Sequence, residues 1–385
     1  MEIHFKTKET SNKKIYKTMK IGILTFHFAH NYGAMLQAYA LSMKLRSLGY
    51  CAEIIDYRLP YIYKNHELLS FTGLYKRYTQ NNSKIISLLK TIKNYHKHKN
   101  RDLKWYRFED FLNETLIKSK RVYSVPEINN LHYECIICGS DQIWNENLTG
   151  NLIPLYFCEG ISSKTKKITY AASNGNEFIK KELLNDFIHL YKNFNAVSIR
   201  EKGLSEYLEK LGLSNTLVLD PIFLLDKSEW EKVCIKPKEQ NYVLTYSFNE
   251  TDNFFLIAQD IARYKGKTLV CITFKKLNLA PNVIQITSCG PKEFLGYFFN
   301  ADFILTNSFH GTAFSILTQK QFYCIPPQKG RERTDSILQL LDLQDRVIEY
   351  NTSVDNSFPS INYEIVYKKL DEFRKRSIEY LTQSI

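Results

Sequence analysis

The chain has 385 residues, 44% of them hydrophobic, and carries a formal charge of +12. That length suits two domains better than one, and the apolar fraction excludes wholesale disorder. No apolar run approaches the length of a membrane span, and no zinc-finger or RNP-like pattern accompanies the positive charge, so nucleic acid ranks last among partners.

Residues 1–19 read as a flexible basic tail, and the polar start Met1-Glu2-Ile3-His4 is no signal peptide. Order begins at Ile21–Phe26, a short apolar run of strand type. A polar loop, His30–Gly33, leads into a helix in which Leu41, Leu45 and Leu48 share one face, with Gly49 placed as its C-terminal cap. Ala52–Asp56 is a second strand, so the segment is a βαβ unit with a parallel, right-handed crossover. Residues 59–130 break the rhythm. From Lys84 to Arg121 eleven Lys/Arg stand against four Asp/Glu, which predicts a basic helical insertion near 60–125, a lid or acceptor-binding element. Alternation resumes with strands at Glu134–Cys138, Ile168–Ala172, Ala196–Ile199 and Leu217–Leu219, separated by helices over 177–192 and up to Leu211.

A second series follows. Strands fall at Tyr242–Tyr246, Thr268–Thr273, Val283–Ile286, Phe303–Thr306 and Gln321–Ile325, with helices over 252–264, 292–299 and Gly311–Leu317. An amphipathic helix over 362–384 closes the chain. Two βα series predict an α/β protein of two Rossmann-like, doubly wound domains, 20–225 and 226–385, facing each other across a cleft. Ligands in such sheets bind beyond the carboxyl ends of the strands.

Four strand-end loops are therefore candidate site elements: His30–Gly33, Gly139–Gln142, Arg200–Lys202 and Asn307–Thr312. His310 stands at a predicted helix N-terminus, where free N–H groups attract an anion and disfavour an extra positive charge on the imidazole. Gly311 would let a ligand approach the backbone. Arg200 ends an apolar strand, and its fork matches a carboxylate or phosphate. Arg331 and Arg333 follow a Gly330 turn and could cover a phosphate. Asp141, lifted by a Gly-Ser turn, is placed to act on a sugar hydroxyl as a general base or to orient it. Cys135 and Cys138 match C-x-x-C inside a strand, and His27 and His30 straddle a strand end; neither pair is a metal site, and no metal is expected. The eight cysteines lie far apart, several in apolar runs, as expected of a reduced, cytoplasmic protein.

Six ordered motifs resemble the polysaccharide pyruvyl transferase family. They are Asn31-Tyr32-Gly33-Ala34-Met35-Leu36-Gln37, Gly139-Ser140-Asp141-Gln142-Ile143-Trp144-Asn145, Ser198-Ile199-Arg200-Glu201-Lys202, Asp220-Pro221, Gly290-Pro291-Lys292-Glu293-Phe294 and Ser308-Phe309-His310-Gly311-Thr312. The resemblance spans roughly residues 20–346. It implies a glycosyltransferase-B-like pair of domains that moves pyruvate from phosphoenolpyruvate onto a sugar, forming a cyclic ketal on a surface polysaccharide or its lipid-linked precursor. His310 and Arg200 match donor-associated positions, and Ser308, Gly311, Thr312, Arg331 and Arg333 complete the expected donor side. Asn31, Tyr32, Gly33, Gln37, Asp141, Gln142 and Trp144 form the expected acceptor side. His310, Asp141 and Arg200 are the catalytic candidates. The resemblance also implies phosphoenolpyruvate as co-substrate and no cofactor.

The positive charge suits an anionic donor, a diphosphate-linked acceptor and a peripheral contact at the inner face of the membrane. Two alternatives remain open at this level: a nucleotide-sugar glycosyltransferase of the same architecture, and a non-catalytic glycan-binding or scaffold protein of capsule assembly. The oligomeric state is not legible.

Overall fold

The computed structural model describes residues 19–59, 75, 79, 83–97, 99–247, 252–327, 330–349 and 359–385. The expected tail at 1–19 lies outside them save for Met19, as does much of the first part of the expected insertion.

The first sheet is built from β1 (Lys20–Leu24), β2 (Cys51–Ile54), β3 (Cys135–Cys138) and β4 (Lys166–Thr169), all parallel, in spatial order β2-β1-β3-β4. Bridges Ile168–Ala196 and Ala172–Ile199 extend it to β5 (Ser198–Ile199) and β6 (Thr216–Leu217). The second sheet is β7 (Tyr242–Tyr246), β8 (Thr268–Ile272), β9 (Ile284–Ile286), β10 (Phe303–Thr306) and β11 (Gln321–Cys324), parallel, in order β11-β10-β7-β8-β9. Both are doubly wound, as the alternation of strands and helices implies. The chain reverses direction between β1 and β3 in one sheet and between β7 and β10 in the other, and these two switch points set the place of a ligand.

Helix α1 (Tyr32–Ser47) fills the space between the two bodies. Asn31 caps it by accepting from the Ala34 N–H at 3.2 Å, and Gly49 closes it in the left-handed region at φ 93°. Leu41 and Leu45 are fully buried as expected, but so are Met35, Leu36, Ala38 and Ala40 around the rest of the cylinder. The helix is apolar on nearly every side because it meets the first sheet on one flank, and the buried turn Pro221–Leu224 and helix α7 (Pro291–Asn300) on others. A single apolar core accordingly runs from Ile21 and Ile137 through α1 to Tyr242 and Phe314.

The insertion contributes α2 (Lys84–Lys97) and α3 (Lys99–Asp110). The end of α3 is no free lid. Phe108 is buried against Tyr32 and His30, and Arg107 pairs with Glu293 at 3.0 Å and donates to the Ser288 carbonyl at 2.8 Å in the second domain. The remaining helices that bear on the site are α4 (Leu184–Tyr191), α5 (Lys202–Lys210), α6 (Asp252–Tyr264), α8 (Phe309–Leu317), α9 (Glu332–Leu340) and α10 (Tyr363–Ser384).

Helix α10 belongs to both domains. At its start the Tyr363 and Tyr367 hydroxyls donate to carbonyls around α8. At its end the Tyr380 hydroxyl donates to the Thr169 carbonyl and Ser377 accepts from the Leu219 N–H, both in the first domain. A terminal helix wholly within 226–385 is therefore not what the contacts describe. Among the described residues no helix is long and apolar enough to cross a membrane, and all eight cysteines are free.

Candidate active site

The two switch points are each tied shut by hydroxyls and amides. In the first domain Thr25 donates to the Ser140 carbonyl at 3.0 Å, and Gln37 donates to Thr25 Oγ1 at 3.0 Å and the Ala34 carbonyl at 2.9 Å. In the second, Thr306 donates to the Tyr246 carbonyl at 2.7 Å and Asn307 to Ser247 at 2.7 Å. These bonds fix the loops that follow β1, β3, β7 and β10.

Helix α8 begins two residues earlier than expected. Ser308 is its N-cap, accepting from the Gly311 N–H at 3.4 Å, so Phe309 and His310 form its first turn. The Thr312 N–H is already bonded to the Ser308 carbonyl at 2.9 Å, which leaves the N–H groups of Phe309 and His310 as the open end of the helix. Gly311 also has a different purpose from the one expected. A Cβ there would overlap Thr306 Oγ1, so the glycine lets α8 sit on the end of β10 and not a ligand on the backbone.

Across the cleft, α1 presents its own N-terminus to the same place. A Cβ at Gly33 would overlap the His310 imidazole, so ring and glycine backbone are in direct contact. His310 is 6% exposed and its Nε2 is buried without a partner. Burial pushes its pKa down to about 3; Asp220 works the other way, while Arg200 and Arg333 add to the fall. At neutral pH the unliganded imidazole is uncharged, as its place on a helix N-terminus implies.

Arg200 is buried and held from three sides. Nη1 donates to Asp220 Oδ2 at 2.6 Å and to Ser140 Oγ at 3.4 Å, and Nε donates to Glu201 Oε1 at 3.1 Å. Glu201 in turn accepts from Ser173 at 2.6 Å. Burial opposes the cation, but Glu201 and Asp220 outweigh it and raise its pKa. Nη2 is left buried and unpartnered. These partners lie inside the protein and draw loops after β3, β4, β5 and β6 into one cluster. Asp220 and Glu201 are the anchors that motif spacing alone did not assign.

Arg333 approaches from α9. Its guanidinium and that of Arg200 lie 5.6 and 5.1 Å from the Phe309 ring, so one aromatic at the start of α8 carries both. Gln142, with its amide oxygen turned inward, accepts from Arg333 Nη1 and Nη2 at 2.9 and 3.0 Å. Burial and the neighbouring Arg200 lower the Arg333 pKa. Among the described residues it has no carboxylate partner within salt-bridge distance, and its Nε is unsatisfied. Arg331 differs. It pairs with Asp335 at 2.7 Å and Glu349 at 3.2 Å and stands apart from the cluster.

Asp141 is half-buried, in the left-handed region at φ 66°, with its carboxylate accepting from the Gln142 N–H at 2.8 Å. Burial raises its pKa, with Arg200 and Arg333 pulling against the rise. A non-glycine residue held there is strained, as residues at sites often are.

The rest of the expected acceptor side is structural. Asn31 spends its side chain on the α1 cap. Tyr32 is buried, stacks on Phe294 at 4.4 Å and donates to the Cys289 carbonyl at 2.9 Å, so it staples the two domains together. Gln37 is fully buried. Trp144 lies in the first-domain core, stacked on Phe157 at 5.0 Å with its N–H spent on the Tyr156 carbonyl at 3.2 Å. Thr312, expected on the donor side, is buried with its Oγ1 unpartnered. His27 pairs with Asp56 at 3.0 Å and His30 with Glu109 at 2.9 Å, so each histidine has a separate carboxylate.

What converges is therefore two helix N-termini, two guanidiniums, one neutral imidazole and three carboxylates, of which Glu201 and Asp220 hold Arg200. A cavity of about 30 Å³ opens beside them, lined by Arg200, Asp220, Phe309, Arg333, Ser336 and Phe373. It holds about two waters, not a sugar. The spare donors suit an anion, and the Asp141 carboxylate can accept a proton.

No curated protein matches the chain in sequence. Among solved structures, similar chains include the UDP-GlcNAc 2-epimerase of Methanocaldococcus jannaschii (11% identity, 95% of this chain and 99% of that one, TM-score 0.46). Others are a putative UDP-N-acetylglucosamine 2-epimerase of Listeria monocytogenes (10%, 94% and 89%, 0.46) and the glycosyltransferase SnogD of Streptomyces nogalater (8%, 94% and 96%, 0.39). The profile of one sequence family, polysaccharide pyruvyl transferase, matches residues 31–329, a stretch that holds the second switch point, Arg200 and His310. By that match the chain belongs to the polysaccharide pyruvyl transferase family.

Proposed function

We propose that the protein transfers the pyruvyl group of phosphoenolpyruvate to two hydroxyls of a sugar in a surface polysaccharide or its lipid-linked precursor. The observation that carries this reading is Arg333, a cation with no carboxylate partner among the described residues, set beside the spare Nη2 of Arg200 and the open end of α8. Cations and N–H groups left unsatisfied in one place cost stability unless an anion completes them. Phosphoenolpyruvate brings two anionic groups, and the two guanidiniums together with the helix end can engage both.

The reaction then runs as follows. A proton is added to the methylene carbon, which becomes a methyl group and leaves cationic character on the neighbouring carbon. A sugar hydroxyl attacks that carbon, its C–O bond to phosphate breaks, and inorganic phosphate departs. A second hydroxyl attacks the same carbon, passes its proton to the departed phosphate and closes the ketal. Arg200 and Arg333 hold the donor and stabilise the departing phosphate. Asp141, its pKa raised by burial, accepts a hydroxyl proton from the acceptor. His310 is neutral until the donor arrives; the donor's negative charge offsets its burial, and it then gives a proton either to the methylene carbon or to the phosphate oxygen.

The test is acceptor-dependent release of phosphate from phosphoenolpyruvate. His310→Ala and Arg200→Ala each abolish it while circular dichroism stays native. Turnover like wild type in either variant removes that residue from the mechanism. The nucleotide-sugar alternative has no residue set in its favour here, since no glycine-rich phosphate loop precedes α8.

A further inference from the structure

Helix α2 wears its amphipathic character inside out. Ser87 and Thr91, four residues apart and so on one face, are fully buried, and Thr91 satisfies its hydroxyl on the Ser87 carbonyl at 2.6 Å. The apolar residues face the other way. Ile85 is 75% exposed, Leu89 62%, Ile86 47%, Ile92 45% and Leu88 44%. At about 100° per residue these five form one arc centred opposite the Ser87–Thr91 face. Lys84 borders the arc on one side and Lys90 on the other, Lys93 falls within it between Leu89 and Ile86, and all three are exposed.

Five large apolar side chains on little more than two turns exceed the scattered exposure that solvent normally tolerates. An apolar arc between lysines is the form in which a helix lies in a membrane interface, with apolar groups among the acyl chains and ammonium groups reaching up to the headgroups. The sign of the charge selects the lipid: the surrounding segment from Lys84 to Arg121 carries eleven basic residues against four acidic ones. The same charge argues against a second copy of the chain, because a two-fold contact over this arc would set lysines against lysines.

We infer that the outward face of α2 docks on an anionic lipid surface. This goes beyond pyruvyl transfer and does not depend on it. The experiment is co-sedimentation of the full chain with vesicles of phosphatidylcholine alone and with vesicles in which phosphatidylglycerol replaces about a third of the lipid. The protein pellets with the anionic vesicles, less so at high salt, and much less with the neutral ones. Ile85→Glu with Leu89→Glu lowers the bound fraction about tenfold, since charges replace the inserted groups. That variant keeps its circular dichroism and its affinity for phosphoenolpyruvate, which separates the lipid face from the donor site. Lys84→Gln with Lys90→Gln and Lys93→Gln removes the preference for anionic lipid. The inference is overturned if the wild-type chain stays in the supernatant with both vesicle types, or if the double glutamate variant pellets as wild type does. It is also overturned if light scattering finds a dimer that the glutamates dissolve, which would assign the face to a second copy.

Discussion

Gly33 and His310 touch across the domain boundary: the imidazole occupies the space a Cβ on Gly33 would need. One residue starts α1 in the first domain and the other starts α8 in the second, so the position of the proposed proton donor depends on the closure of the two bodies. Gly33→Ala is expected to push the ring off its place. The expected loss is about 100-fold in kcat, typical of a misplacement of about 1 Å, with little change in melting temperature. Steady-state kinetics alongside thermal unfolding checks this; a kcat like wild type means that the ring has no catalytic geometry to lose.

Arg333 and Arg331 are two residues apart, and the structure gives them opposite duties. Arg333→Gln removes the guanidinium that has no carboxylate partner among the described residues, and is expected to weaken phosphoenolpyruvate binding by about 2–3 kcal/mol, the scale of a charge-assisted bond. Arg331→Gln breaks only a partly exposed pair with Asp335 and Glu349 and is expected to change affinity by less than about twofold. Titration calorimetry on both variants distinguishes them. Equal effects would mean that the donor side reaches Arg331 as well.

The two arginines also mark where sequence reading stops. Periodicity located β7, β10 and α6 residue for residue, because apolar runs there are bounded by breaks in pattern. Strands β5 and β6 came out shorter than expected, two residues each, although the Val197 carbonyl and the Val218 N–H still bond to Thr216 and Ile199 at 3.0 and 2.9 Å. Residue type does not tell which of Arg331 and Arg333 turns inward, since that is decided by the carboxylates that α9 and Glu349 bring near. Tyr32 and Trp144 sit in motif loops and resemble sugar-stacking rings, yet packing takes both into cores. The amphipathic pattern of α10 tells that one face is buried, and not that two domains share it.

Tyr32 is expected to act through closure. Tyr32→Phe loses the bond to the Cys289 carbonyl and costs about 1 kcal/mol of stability. Tyr32→Ala also loses the stack on Phe294 and the contact with Phe108, and costs about 3–5 kcal/mol. Denaturant titration measures both. An acceptor role would instead raise the acceptor KM with stability unchanged.

His310 sets a pH dependence with a definite sign. Its pKa is near 3 folded and about 6.5 unfolded. Between those values the unfolded chain binds the extra proton, so stability is complete above about pH 6.5 and falls as the pH drops toward 3, by at most about 1.4 kcal/mol per pH unit from this group. His310→Gln is expected to flatten that part of the melting-temperature profile. Parallel profiles for the two proteins would mean that the imidazole titrates normally.

Phosphoenolpyruvate is expected to bind at Arg200, Arg333 and the start of α8. Calorimetric titration of the unmodified protein with phosphoenolpyruvate and with UDP-sugars, at neutral pH in buffers of different ionisation enthalpy, tests it most directly. The account expects saturable binding of phosphoenolpyruvate with net proton uptake, because an anion beside His310 raises the depressed pKa, and no binding of UDP-sugars. Saturable binding of a UDP-sugar with none of phosphoenolpyruvate would contradict it.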